Sequence, residues 1–215
     1  STELGLSDST DGELDTGDKI TLSNFITFVK NNYGASNYSL VLWNHGGGWR
    51  NKNKKKSFPY YTIPSFSFPA KPAKNEKTFK DICWDDDSGN YLGNNDVQSV
   101  ISNEDIKLLA FDACLMGMLE TAYEYRKSVT DIDYAVFSEN VVPGNGYPYT
   151  DIINSFIAAS DITTQNYAGI IVDEYMDYYN GTDLAAMSAV NLSQVDDIVT
   201  KLNSFVTYLR TLPDM

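Results

Sequence analysis

Leu40-Val41-Leu42-Trp43-Asn44-His45-Gly46-Gly47-Gly48-Trp49 is an apolar run that ends on the chain's single histidine and then on three glycines. A second run, Ile106-Lys107-Leu108-Leu109-Ala110-Phe111, ends in the same manner, on Asp112-Ala113-Cys114. Short apolar runs bounded by turn residues read as strands of a sheet covered on both faces. In an open α/β sheet the chemistry collects at the carboxyl ends of the strands. Two strands here are expected to bring an imidazole and a thiol to one rim.

Working outward, Thr21 or Ser23 is expected to cap a helix with Phe25, Ile26, Phe28 and Val29 on one face, closed by Gly34. Residues 50–80 hold four prolines and clustered lysines without a sustained period, and read as a long excursion. Thr78–Trp84 suggests a short strand, Asp85–Asn90 a turn, and Asn94 or Asn95 the cap of a brief helix reaching Val100. Leu115–Arg126 carries helix formers with Leu115, Leu119, Ala122 and Tyr123 on one face, which would set Cys114 at a helix amino terminus. Asp133–Phe137 is a third strand, leading into Ser138-Glu139-Asn140. Beyond it come helices near 151–158 and 164–179, a strand over 184–190, and a last helix capped by Ser193 and running to about Leu212. Strands alternating with helices predict an α/β fold, a mostly parallel sheet covered on both faces, as one domain over residues 1–215.

Composition narrows the classes. With two cysteines and one histidine, the chain is not a disulfide-stapled scaffold and cannot fill a Cys/His zinc site without carboxylates. No apolar run of about 18 residues is present, and Ser1-Thr2-Glu3-Leu4 has no signal-peptide character. Between Arg50 and Lys80, nine basic residues face Glu76 alone, so the remainder carries −21 of a total of −13. So acidic a body repels phosphate backbones, which argues against a nucleic acid partner and suits a basic ligand.

A thiol attacks as its thiolate, and a neighbouring imidazole can take its proton and later hand it to a leaving amine. Attack on a carbonyl also builds an oxyanion, for which the backbone N–H groups of Gly46 and Cys114 are candidate donors. From the residues alone other readings stay open. A free cysteine at a strand end is also common as a small buried hydrophobe, and a lone histidine as a satisfied structural group.

Asn44-His45-Gly46-Gly47-Gly48-Trp49 and Asp112-Ala113-Cys114-Leu115-Met116-Gly117, in that order and each after a strand, resemble the two signature blocks of the clostripain-like cysteine peptidases. A third block, Ser138-Glu139-Asn140-Val141-Val142-Pro143-Gly144-Asn145-Gly146-Tyr147-Pro148-Tyr149, is similar to that family's Ser-Glu, Pro-Gly and Gly-aromatic-Pro-Tyr pattern. The resemblance runs from roughly Leu22 to Phe205. It implies a caspase-like three-layer α/β/α sandwich, with His45 as general base and acid, Cys114 as nucleophile, and oxyanion donors at Gly46 and Cys114. Asp112 matches the family position lining an acidic S1 pocket, which implies cleavage after Arg or Lys; as a plain strand-end carboxylate it would cap the helix behind it. Ser138 and Glu139 are weaker substrate-binding candidates on the same rim.

The resemblance further implies a zymogen that cuts itself beyond the histidine. Arg50, Lys52, Lys54, Lys55 and Lys56 are the candidate positions, against the reading of a solvated loop. Calcium, on which some relatives depend, has only a thin candidate in Asp85-Asp86-Asp87-Ser88-Gly89-Asn90. That run lacks the glycine placement and distant glutamate of an EF-hand loop, so no cofactor is expected. The implied partners are peptides or proteins with basic residues, the implied location is secreted or in a bacterial cell envelope, and a monomer is expected. The family's first strand is expected to lie upstream of Ser1. Two competing classes are a catalytically silent interaction module and a phosphate binder built on Gly46-Gly47-Gly48. The second lacks both the G-x-G-x-x-G spacing and a P-loop lysine.

Overall fold

The strand Ile106–Asp112 (β2) is the spine of the molecule, buried at every position but Lys107. Its neighbours are Tyr38–Trp43 (β1) and Tyr134–Phe137 (β3), both parallel to it, and Ser188–Asn191 (β4) lies antiparallel beyond β3. The sheet order is therefore β1-β2-β3-β4. The computed structural model describes residues 14–48, 82–129, 131–181 and 185–212.

The alternation of β2 sorts the two faces. Leu109 and Phe111 point into one core with Leu40, Leu42, Ala135 and Phe137, beneath Lys19–Asn32 (α1), Asn94–Ile101 (α2), Leu119–Ser128 (α3) and Val195–Leu209 (α6). Leu108, Ala110 and Val136 point into the other, beneath Tyr149–Ala158 (α4) and Thr164–Tyr178 (α5). That makes the expected three-layer α/β/α sandwich. Fully burying one of these leucines contributes about 1.5–3 kcal/mol. The pairing register slips once, because Tyr38 faces Ile106 while Ser39 faces Leu108, leaving Lys107 unopposed.

Several local expectations are corrected. Asp18, not Thr21 or Ser23, caps α1, its Oδ1 accepting the Ile20 N–H at 2.9 Å. Leu22 and Ile26 are the buried residues of that helix, while Phe25 is exposed. The last helix is preceded by a 3-10 turn, Leu192–Gln194, capped by the Asn191 side chain, so Ser193 caps nothing there. Of the strand expected over 78–84, Ile82 forms isolated antiparallel bridges to Gly46 and Leu92, and residues 78–81 lie outside the described residues.

The correction with chemical weight concerns α3. It begins at Leu119, so Cys114 does not stand at its amino terminus. Leu115 takes a left-handed backbone, φ 63°, in a turn with Cys114, and residues 116–118 run irregularly before the helix. The Leu115 and Gly117 N–H groups donate to the carbonyls of Asn140 and Ser138 at 3.0 and 2.8 Å. Helix-forming composition loses here to tertiary hydrogen bonding.

Candidate active site

The carboxyl ends of β1 and β2 lie side by side, Trp43 opposite Asp112, and the Asn44 N–H donates to the Asp112 carbonyl at 3.3 Å. Beyond them the two signature turns press together. A Cβ added to Gly46 would lie 2.5 Å from the Cys114 carbonyl oxygen and 3.2 Å from its nitrogen, so only glycine admits this approach. His45 precedes that contact and is exposed. The structure thus places His45, Gly46 and Cys114 at one rim.

The histidine turn is held from below by residues the sequence did not single out for this task. The Asn44 side-chain amide donates to the Trp84 carbonyl at 2.9 Å, and the Asn94 amide to the Gly48 carbonyl at 3.0 Å. Asn94 accepts in turn from the Tyr125 hydroxyl at 3.2 Å. Gly48 itself has φ 76°, and a Cβ there would meet the Met118 sulfur at 2.8 Å.

Cys114 is half-buried. Its Sγ accepts the Val142 N–H at 3.3 Å and faces the Val142 carbonyl at 3.8 Å. Burial pushes its thiol above the ordinary range, and the N–H donors of Val142 and of Cys114 itself pull against that shift. The second cysteine, Cys83, is buried, its thiol pushed up by burial to about 12. The sequence suggests a buried strand residue at Cys83; it is buried, but it lies in a bend with φ 56° and not in a strand.

Asp112 is 2% exposed. Its Oδ2 accepts the Tyr147 N–H at 2.9 Å and the Tyr149 hydroxyl at 2.8 Å, while Oδ1 is buried without a hydrogen-bond partner among the described residues. Burial pushes its pKa above the usual carboxylate value, against the pull of those two donors. The Asp112 carboxylate caps no helix; it is gripped by the segment after β3.

Ser138 is fully buried, its hydroxyl donating to the Asn140 carbonyl and accepting the Asn140 N–H, both at 3.0 Å. This ties the turn that receives the Leu115 and Gly117 N–H groups, a supporting role. Glu139 is exposed on the same rim, beside Gly117. Arg50, Lys52, Lys54, Lys55 and Lys56 lie outside the described residues. Asp85 spends its carboxylate on the N–H groups of Ser88, Asp87 and Thr16 and on the Thr16 hydroxyl, which holds it below the usual carboxylate range. Among the described residues, no group of three or more His, Cys, Asp or Glu side chains is arranged to hold a metal ion.

A three-layer α/β/α sandwich that carries histidine and cysteine after adjacent parallel strands has the architecture of the caspase-like cysteine peptidases. Residues 4–61 and 69–214 match the model of the clostripain family. The chain belongs to that family. It is 32% identical over 163 residues to clostripain of Hathewaya histolytica, a match covering 72% of this chain and 27% of that protein.

Two solved structures share the fold. One is a secreted C11 cysteine protease from Bacteroides thetaiotaomicron in complex with an irreversible peptide inhibitor, with TM-score 0.57, 23% identity, and coverage of 86% of this chain and 48% of that one. The other is an inactive zymogen C11 protease from Parabacteroides distasonis, with TM-score 0.59, 22% identity, and coverage of 90% and 45%. The chain therefore spans about a quarter of the curated relative's length and under half of each solved chain's.

Proposed function

We propose that this chain carries the working rim of a cysteine endopeptidase that cleaves after Arg or Lys. Cys114 Sγ, its proton taken by His45, attacks the scissile carbonyl carbon and forms the acyl-enzyme. His45 then gives that proton to the departing amine and assists the water that frees the acid. The oxyanion is received by the backbone N–H groups of Gly46 and Cys114. The observation that carries this reading is the close approach of the Gly46 and Cys114 backbones. Asp112, adjacent to the rim and negatively charged when ionised, is the pocket carboxylate for a guanidinium or ammonium group. Glu139 is a second acidic contact.

Because burial holds the Cys114 thiol above its ordinary range, the thiolate and with it the activity rise as pH moves to the alkaline side. Self-cleavage within Arg50–Lys56 and an extracellular location belong to the same reading. The secreted relative supports the location. Substrates are peptides with basic residues, and the working form is a monomer. Among the described residues no helix is long and apolar enough to cross a membrane.

Hydrolysis of matched fluorogenic peptides bearing Arg, Lys, Asp or Ala before the scissile bond tests the proposal. Cleavage after Arg or Lys that vanishes in Cys114→Ala supports nucleophile and pocket together. No cleavage of any peptide, with Cys114 unreactive toward iodoacetamide, sinks it in favour of a silent interaction module.

A further inference from the structure

The segment after β3 treats Asp112 in an unusual way for a carboxylate meant to meet a ligand. Asp112 is 2% exposed, yet Tyr149, whose hydroxyl reaches Oδ2 at 2.8 Å, is 39% exposed. The Tyr149 side chain therefore reaches from solvent to the carboxylate. The rest of the grip is main chain. Gly146, at φ 65°, lies so close that a Cβ would be 2.6 Å from Oδ2, and the Tyr147 N–H donates to that same oxygen at 2.9 Å. This main chain is fixed, because the Tyr179 hydroxyl donates to the Gly146 carbonyl at 2.8 Å and the Tyr147 hydroxyl to the Phe111 carbonyl at 3.1 Å. Tyr149 is the first residue of α4, so its side chain can turn outward about χ1 without disturbing the helix.

The two oxygens of Asp112 are unequally served. Oδ2 has two donors, while Oδ1 is buried and has none among the described residues. A buried anionic oxygen without a donor is costly, and a planar cation with several N–H groups would serve both oxygens at once. A neutral hydroxyl offers one donor to one of them.

We propose that the Tyr149 hydroxyl holds the place on Asp112 that a substrate's basic side chain takes, and that the incoming cation displaces it, making Tyr149 a determinant of pocket affinity. The inference rests on the reading of Asp112 as the pocket carboxylate. No proton changes hands: the hydroxyl leaves for solvent, and the cation's N–H groups replace it on Oδ2 and fill Oδ1. Because the closed arrangement must be broken before binding, apparent affinity is reduced by the fraction of molecules closed.

The test is binding of agmatine, a small guanidinium ligand that is not cleaved, to the whole chain by titration calorimetry. Wild type, Tyr149→Phe and Asp112→Asn are compared. Removing one hydroxyl-to-carboxylate bond is expected to tighten agmatine binding about five- to tenfold in Tyr149→Phe, and Asp112→Asn is expected to abolish it. The KM of an Arg peptide relative to that of an Ala peptide should fall by the same factor. Tyr149→Phe keeps the ring, and its thermal midpoint reports whether the fold is kept. A tyrosine ultraviolet difference spectrum on adding agmatine to wild type, missing in Tyr149→Phe, reads the displacement directly. If Tyr149→Phe binds no tighter while Asp112→Asn still abolishes binding, the displacement is wrong and the pocket stands. If Asp112→Asn binds as well as wild type, or if neither wild type nor Tyr149→Phe binds, the pocket assignment itself falls, and the displacement with it.

Discussion

β1 and β2 are neighbours of similar length that end at the same rim, yet they are built differently. β2 is hydrogen-bonded along both edges and buried at all positions but one. β1 has a strand partner only in β2 among the described residues, and it exposes Ser39 and Trp43. The thiol and the carboxylate are thus mounted on the best-anchored strand, and the imidazole on the edge. Rigidity at the edge comes instead from side-chain amides, Asn44 and Asn94, which brace the histidine turn from outside the sheet. The sheet core and polar bracing are two separate ways of fixing a group in place, and they fail under different substitutions.

The largest expected effect lies in the chemistry that both strand ends share. His45→Ala and Cys114→Ala should each lower kcat/KM for an Arg peptide by about a thousandfold or more, while Cys83→Ala stays within severalfold. A histidine variant that keeps most activity would dissolve the pairing of the two strand ends. Next comes stability. Leu109→Ala in β2, fully buried, is expected to lose about 2–5 kcal/mol, against about 1 kcal/mol for the half-buried Val41→Ala in β1. Denaturant midpoints measure both, and equal losses would contradict the contrast between spine and edge.

Gly46→Ala probes the contact between the two turns. With a Cβ 2.5 Å from the Cys114 carbonyl, the turns must part, and kcat should fall on the order of a hundredfold with much smaller loss in the thermal midpoint. The smallest effect on stability belongs to Asp112→Asn. Burial raises the folded-state pKa of Asp112, so its contribution to stability is full below the ordinary carboxylate value and is lost as pH rises through the raised one. Asp112→Asn escapes that loss. Its denaturant midpoint should match wild type in acid and exceed it at neutral pH, while hydrolysis after Arg is lost. A gap that opens toward acid instead would reverse the assigned sign.

The two strand ends were legible in the sequence because unbroken apolar runs stop abruptly at polar and glycine residues, which is a local signal. The beginning of α3 was not. Leu115, Met116 and Met118 favour helix by composition, and what diverts them is a pair of hydrogen bonds from Leu115 and Gly117 to Asn140 and Ser138, on a segment more than twenty positions away. The same reasoning covers Ser138, whose neighbours in the sequence suggested a substrate contact and whose hydroxyl is spent on its own turn. Asn94 read as a cap because capping is local, but Gly93 takes the cap position; the tie of Asn94 to Gly48 joins positions 46 residues apart. Tyr149 was visible only as part of a motif, since nothing in the Tyr-Pro-Tyr spacing tells which oxygen a hydroxyl will reach.

The order of strands across the sheet repeats their order along the chain, β1-β2-β3-β4. During synthesis from the amino terminus, β2, β3 and β4 therefore each emerge after the neighbour that precedes them in this order, and among these four none has to thread between two that are already paired. The widest closure is the first, β1 with β2, and because loop entropy grows only logarithmically, doubling that connection would raise its closure cost by only about 0.6 kcal/mol. Length added between the histidine and cysteine blocks would thus slow the first pairing slightly and leave the later ones alone.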